Sequence, residues 1–476
     1  MRLAAALLLA VSVAVCAQTD NLSEKYRDAA NRLLKLAMAD QAGYASLAFL
    51  CDRIGNRLSG SEALATAVAW SADQMKSRGL VNVQKIPVRV PHWVRGEESA
   101  QIVSPVRRPL HMLGLGMSVG TPSNGITADA IVVSNFDELD AAGERVKGKV
   151  VVYNPPYEGY GKTVVYRATG PSRAAKLGAV AVLVRSVTPL AMQQPHTGSL
   201  LYDETAPKIP AAAISIEDAQ LLDRLQRAGD TPRVHLSMQA RQEKDADSAD
   251  VIGEIPGAEH PEEVVVLGGH LDSWDVGQGA QDDGSGVMAS LEAVALIKKA
   301  GLRPRRTIRV VFWVNEENGS RGAEAYRAWV GNRIGNHVAA IEMDGGAERP
   351  TGFGYSTIEF RRGSALSTPK LNPEQQRSFS LCEQIAELLK PIEATHVRPF
   401  GGGEDIAPLT REGVASFSPA NVGTHYFDWH HTATDTLDKV DPEDFNRNVA
   451  VLAVLSYVLA DMPGRMAGLL PHGGTE

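Results

Sequence analysis

Residues 264–287 read VVVLGGHLDSWDVGQGAQDDGSGV, an apolar run that stops at His270 and passes through Asp272 and a glycine-rich loop to Asp282 and Asp283. Imidazole and carboxylate groups delivered where an apolar run ends sit at the carboxyl edge of a sheet, where open α/β folds bind what they act on. Three later stretches offer partners of the same kind. Glu317 follows IRVVFWV inside Asn315-Glu316-Glu317-Asn318, Asp344 ends HVAAIEMD, and His431 lies in HHTATDT near the C-terminus.

Imidazoles and carboxylates without thiolates suit catalytic zinc, with Mn or Co as substitutes, and an excess of carboxylate favours two ions sharing a bridge. Asp282 is the expected bridge. Asp272, two residues from His270, is expected to place its carboxylate behind the imidazole and fix its tautomer. Glu316 and Glu317 are neighbours at the end of a strand and so point to different sides. One can bind metal while the other, Glu316, stays free as the general base that moves a proton from water to the leaving amine. Taken singly, an Asp-Asp-Gly turn is as readily a helix cap, and adjacent glutamates are more often a solvated face. The coincidence of His270, Asp282, Glu317, Asp344 and His431 at the ends of successive elements carries the metal reading. No Gly-x-Ser-x-Gly elbow, Walker loop or His-Glu-x-x-His helix is present, so serine-nucleophile, nucleotide and single-helix zinc readings lack their motifs.

The elements that must hold these residues alternate. After Asp250, β-rich runs at 251–255, 264–268, 308–314 and 338–343 are separated by helical patterns at 286–299 and 320–330, the rhythm of a sheet with helices on both faces. Asp441-Pro442 opens a last helix running to Leu459, with Asp441 as N-cap. Upstream, helical periodicity covers 21–51 and 61–78, and Val83–Val90 alternates as a strand that Pro87 assigns to an edge. Between them, short β-rich runs at 131–133, 150–153, 179–184, 211–216 and 234–240 hold no cluster of metal ligands, so 122–246 reads as an inserted domain that shapes access. The expected division is 1–17 leader, 18–121 and 247–462 catalytic domain, 122–246 insertion, and a tail at 463–476 that frays.

The 476 residues carry a net charge of −8 and no basic block, which argues against nucleic acid or an anionic membrane as partner. The leader has Arg2, an apolar run 3–15 and small residues to Ala17, the pattern of a secretory signal and too short to span a bilayer. Export, secreted or periplasmic, is expected. The rival, lipid anchoring at Cys16, has Val15 where a small residue is required. Cys51 and Cys382 then leave room for at most one bridge.

His270-x-Asp272, Asp282-Asp283-x-Ser285-Gly286, Glu316-Glu317, Met343-Asp344 and His431-Thr432-x-x-Asp435 together resemble the motif series of the M-28 metallopeptidases, the co-catalytic two-zinc exopeptidases. The likeness runs from about Arg57 to Leu459 and is closest to the carboxypeptidase Q branch, through residues 170–178, Pro195-His196-Thr197-Gly198 and Gly401-Gly402-Gly403 with Asp405-Ile406. The resemblance implies a zinc-exopeptidase fold (phosphorylase/hydrolase-like): a mixed sheet flanked by helices, with 122–246 as a protease-associated domain. It implies two Zn2+ per chain, His270 and Asp344 on one and Glu317 and His431 on the other, with Asp282 between them and a cis peptide after it. It gives His430 as a donor to the tetrahedral intermediate, and Gly402, Gly403 and Asp405 as pocket residues reading a terminal charge. Short peptides and dipeptides are the implied substrates, and a homodimer is implied by the resemblance alone. The readings beside it are a single-zinc acyltransferase like glutaminyl cyclase and a non-catalytic, receptor-like binding protein on the same fold.

Overall fold

In a computed structural model of the chain, residues 21–356 and 371–468 are described. The expected leader, with Cys16, lies outside them, as do residues 469–476.

Strand His260–His270 has parallel neighbours on both sides, Arg306–Trp313 and His337–Glu342. Parallel neighbours require crossovers, and helices Ser285–Lys299 and Arg321–Val330 supply them. Because side chains alternate along a strand, a sheet covered on both faces needs apolar residues in continuous runs. Val265 and Leu267 enter one core with Ile308, Val310 and Phe312, while Val264 and Val266 enter the other with Val311 and Trp313. Each such side chain contributes about 1.5–3 kcal/mol on burial. The full sheet has eight strands in the order Val81–Val90, Ala246–Ile255, Arg306–Trp313, His260–His270, His337–Glu342, Ser416–Asn421, Pro350–Tyr355 and His396–Arg398. Parallel and antiparallel pairs are mixed, and the strand carrying Pro87 is at the edge.

The last helix, Pro442–Asp461, is buried through most of its length and packs on Ser285–Lys299 and Arg27–Met38. The Asp441 carboxylate accepts from the amides of Glu443 and Asp444 at 2.8 and 2.9 Å. Residues 21–51 are divided into several helices, with a break before Ala42–Phe49. There Asp40 turns its carboxylate to the Gly43 amide at 2.8 Å, a local bond that competes with helix continuation.

A second eight-stranded sheet lies between the first two strands of the main sheet in sequence. Its central strands Ile126–Val133, Val150–Tyr153, Ala181–Arg185 and Ala211–Ile214 are parallel. Glu98–Ser104, Arg108–Leu110 and Met112–Gly114 also belong to it, so the sheet draws on residues well ahead of 122. Two of those strands are three residues long, too short to show a period.

The chain end departs from expectation. Residues 463–468 are held rather than frayed: Arg465 pairs with Glu263 at 2.5 Å, the Ala467 amide donates to Ser378 Oγ at 2.8 Å, and Met466 is buried in the main core. A Pro-Gly composition marks the absence of regular structure there, not the absence of contacts. Among the described residues, Cys51 and Cys382 are buried and free.

Candidate metal centre

His270 is the last residue of its strand, and the loop that leaves it is anchored from three directions. The imidazole Nδ1 lies 2.9 Å from the main-chain carbonyl of Asp272. A carbonyl only accepts, so Nδ1 carries the proton and Nε2 keeps its lone pair for the centre. The fully buried Arg57 donates to the carbonyls of Leu271, Gln278 and Gly279 at 2.7, 2.8 and 3.0 Å, tying the two ends of the glycine-rich loop together. Asp283, joined to Asp282 by a cis peptide, accepts from the amides of His270 and Gly286 at 3.2 and 3.1 Å. Gly269 is required at this point, because a Cβ there would lie 2.0 Å from Asp283 Oδ2.

The Asp272 carboxylate does something other than its expected task. It is 3.9 Å from His270 Nδ1 and accepts instead from the amides of Glu316 and Glu317 at 3.1 and 3.4 Å, and from Ser59 Oγ at 3.4 Å. Reach is the reason: two residues after the imidazole, the backbone carbonyl is nearer to Nδ1 than the side chain is. Asp272 therefore fixes the tautomer with its main chain and positions the glutamate pair with its side chain.

Asp282 occupies the middle. One of its oxygens is 3.2 Å from His270 Nε2, which is also 3.3 Å from Asp344 Oδ1. Its other oxygen is 3.3 Å from His431 Nε2, which is also 3.1 Å from Glu317 Oε2. Asp435 sets this carboxylate in place by accepting from the amides of Ala280, Gln281 and Asp282 at 3.2, 2.7 and 3.2 Å. His431 holds φ at 61°, a left-handed conformation that costs a non-glycine residue about 1–3 kcal/mol.

The donor atoms crowd together at ion-pair distances. His270 Nε2, Asp282 Oδ2, Glu317 Oε1 and Asp344 Oδ1 are buried and have no hydrogen-bond partner among the described residues. Buried polar atoms are as a rule satisfied, and orphans on both sides of Asp282 fit positive charge held in each half. Two ligand groups share Asp282: His270 with Asp344, and His430 with His431. His430 stacks on His431 at 3.5 Å and brings its Nε2 to 3.6 Å from Asp282 Oδ2. The second half thus has two candidate third ligands, Glu317 and His430, of which Glu317 is nearer to its neighbour.

The electrostatics agree. Burial alone would push both imidazoles down, yet Asp344 beside His270 and Glu317 beside His431 hold them well above the usual range, a measure of how strongly the pocket favours positive charge. Burial lifts Glu317 to about 7 and Glu316 well above the carboxylate range, with Asp344 among the neighbours adding to Glu316. Burial keeps His430 neutral.

The pocket residues inferred from the 401–405 loop are mixed in placement. Asp405 is 1% exposed, and neither of its oxygens has a hydrogen-bond partner among the described residues. It faces Glu342, whose carboxylate accepts from the Ile406 amide at 2.9 Å. Gly403 lies against that same carboxylate, and the Gly402 amide donates to Ser418 Oγ at 3.3 Å. This loop is packed under the end of the Asp344 strand. Sequence reasoning missed Arg57 and Glu342. Arg57 carries no sign in the sequence, since a buried arginine with only carbonyl partners looks like any surface arginine. Glu342 had one: an acid that interrupts the apolar run AAIEM, two residues before the candidate ligand Asp344.

Known proteins share both this sequence pattern and this fold. The profile of Peptidase family M28 matches residues 250–456. Carboxypeptidase Q of Xenopus laevis is 43% identical over 440 residues, covering 92% of this chain and 90% of that protein. The crystal structure of a peptidase M28 precursor from Shewanella amazonensis SB2B superposes with a TM-score of 0.87 at 32% identity, over 94% of this chain and all of the other. A zinc aminopeptidase from Bacillus subtilis shares the fold, with a TM-score of 0.65 at 19% identity over 90% of this chain and 97% of its own.

Proposed function

Because the chain belongs to peptidase family M28 and is a metallo-exopeptidase, we propose that it hydrolyses dipeptides and the terminal residues of short peptides on a centre that binds two zinc ions. The observation that carries this reading is Asp282, which presents one carboxylate oxygen to each half of the donor cluster. His270 and Asp344 would complete one half, and His431 and Glu317 the other. When bound, such ions polarise the scissile carbonyl and acidify a water. Zinc is favoured by the nitrogen and oxygen donor set without thiolates. It is also the metal named for the Bacillus subtilis protein of the same fold.

The chain's own groups supply the proton chemistry. Glu316 is held at its backbone by Asp272, and burial raises its pKa. A carboxylate so tuned takes the proton of the attacking water and returns it to the leaving amine. His430, neutral and one residue from a ligand, is suited to donate to the oxygen that becomes charged during attack. The 401–405 loop would read a terminal charge of the peptide, and the sheet that includes residues 98–238 would be the protease-associated insertion. The leader at 1–17 would send the enzyme out of the cell. No helix among the described residues is long and apolar enough to cross a membrane.

Glu316→Gln tests the mechanism. The variant should keep the metal content of the wild type and lose turnover of dipeptides by at least about 100-fold. Retained turnover would remove Glu316 from the reaction, and lost metal would make it a ligand.

A further inference from the structure

The second sheet reaches into the metal centre through one short segment. Thr197, Gly198 and Ser199 are pinned to that sheet: Thr197 Oγ1 donates to the Gly114 carbonyl at 2.7 Å, the Gly116 amide to the Gly198 carbonyl at 3.0 Å, and the Leu200 amide to the Gly116 carbonyl at 3.1 Å. The other side of the segment holds two candidate ligands of the main sheet. The Thr197 amide donates to the His431 carbonyl at 3.0 Å, and His431 Nδ1 lies 3.3 Å from the Thr197 carbonyl. Ser199 Oγ donates to the Glu317 carbonyl at 3.0 Å. Gln194 Nε2 donates to the Asp428 carbonyl at 3.2 Å and to Thr434 Oγ1 at 2.8 Å, bracketing the turn that carries His431.

Arg167 stands behind this contact. It is 5% exposed and has no carboxylate partner among the described residues. Its guanidinium donates to the Thr197 carbonyl at 3.0 Å and to the Tyr160 hydroxyl at 2.8 Å, and its Nη1 is 3.5 Å from His431 Nδ1. Two donors therefore converge on one carbonyl oxygen, which has a lone pair for each. The His431 proton is committed to that oxygen, and Nε2 is left to face Asp282 and Glu317.

We infer that Arg167 and the Thr197–Ser199 segment form a positioning arm by which the second sheet sets the geometry of the His431–Glu317 half of the metal centre, leaving the His270–Asp344 half to the main sheet. The inference rests on the two-ion reading. Partners that orient a ligating imidazole typically govern metal affinity by about 10–100-fold, and this arm touches ligands of one half only.

The test is a pair of ion affinities, measured by chelator competition with zinc and by the absorption of the cobalt-loaded protein, in wild type, Arg167→Met, Arg167→Lys and the milder Ser199→Ala. Arg167→Met should weaken one ion about 10–100-fold, leave the other at its wild-type affinity, and lower kcat with KM little changed. Arg167→Lys should recover part of the loss, and Ser199→Ala should weaken the same ion less. The unchanged ion reports that the fold is intact. Two wild-type affinities in Arg167→Met would overturn the inference, and so would equal weakening of both ions, which would mark Arg167 as a general support. A loss of hydrolysis confined to substrates with a free carboxyl end, at unchanged affinities, would also overturn it. A wild type that takes up a single ion defeats the two-ion reading itself, and is recognised before any substitution is made.

Discussion

Asp282 can serve two sides because Asp435 accepts from three successive amides around it and fixes the direction of its carboxylate. Burial raises Asp435 to about 7, so its charge depends on those amides. Asp435→Asn replaces one accepting oxygen with an NH2 group that faces an N–H. We expect kcat/KM to fall about 10–100-fold with the fold retained, read by steady-state kinetics beside circular dichroism. At this scale the donors His270, Asp282, Glu317, Asp344 and His431, which the structure brings together, were legible as candidates, because acids and imidazoles stand out where apolar runs end. Arg57, and the division of labour between Asp272's carbonyl and carboxylate, were not. They depend on distances across a loop that spacing does not encode.

Strands buried on both faces announce themselves as unbroken apolar runs, which is why Val264–Gly268 and Ile308–Val314 could be read directly. Short strands such as Met112–Gly114 gain their place only by pairing with partners far along the chain, here Ala211–Ile214, and no local pattern records that. The start of strand His337–Glu342 offers a test at this level. His337 is buried against the Tyr326 hydroxyl at 2.9 Å, and burial, with Arg309 adding, lowers its pKa to about 4. The folded chain thus resists a proton that the unfolded chain accepts near 6.5. The stability this holds is complete above about pH 6.5 and is lost as pH falls towards 4, by roughly 3 kcal/mol at most. Urea unfolding at pH 7 and pH 4.5 should show that loss, and His337→Phe should diminish it. An unchanged pH dependence in the variant would assign the loss to other groups.

Over the whole molecule, the donors come from strand ends and loops spread between His270 and His431, and the segment 194–199 brings the second sheet to the same point. Ions that bind only the folded chain stabilise it, so chelation should lower the melting temperature and abolish hydrolysis together, and zinc should restore both. Strands of the second sheet from Ile126 to Met238 lie within 122–246, whereas Glu98–Ser104, Arg108–Leu110 and Met112–Gly114 lie ahead of it and join by pairing, which composition does not record. The most direct test of the central claim is to titrate the metal-free enzyme with zinc while monitoring dipeptide hydrolysis. Two ions bound per chain, with full activity reached only as the second is taken up, is the predicted result; saturation at one ion with full activity would contradict it.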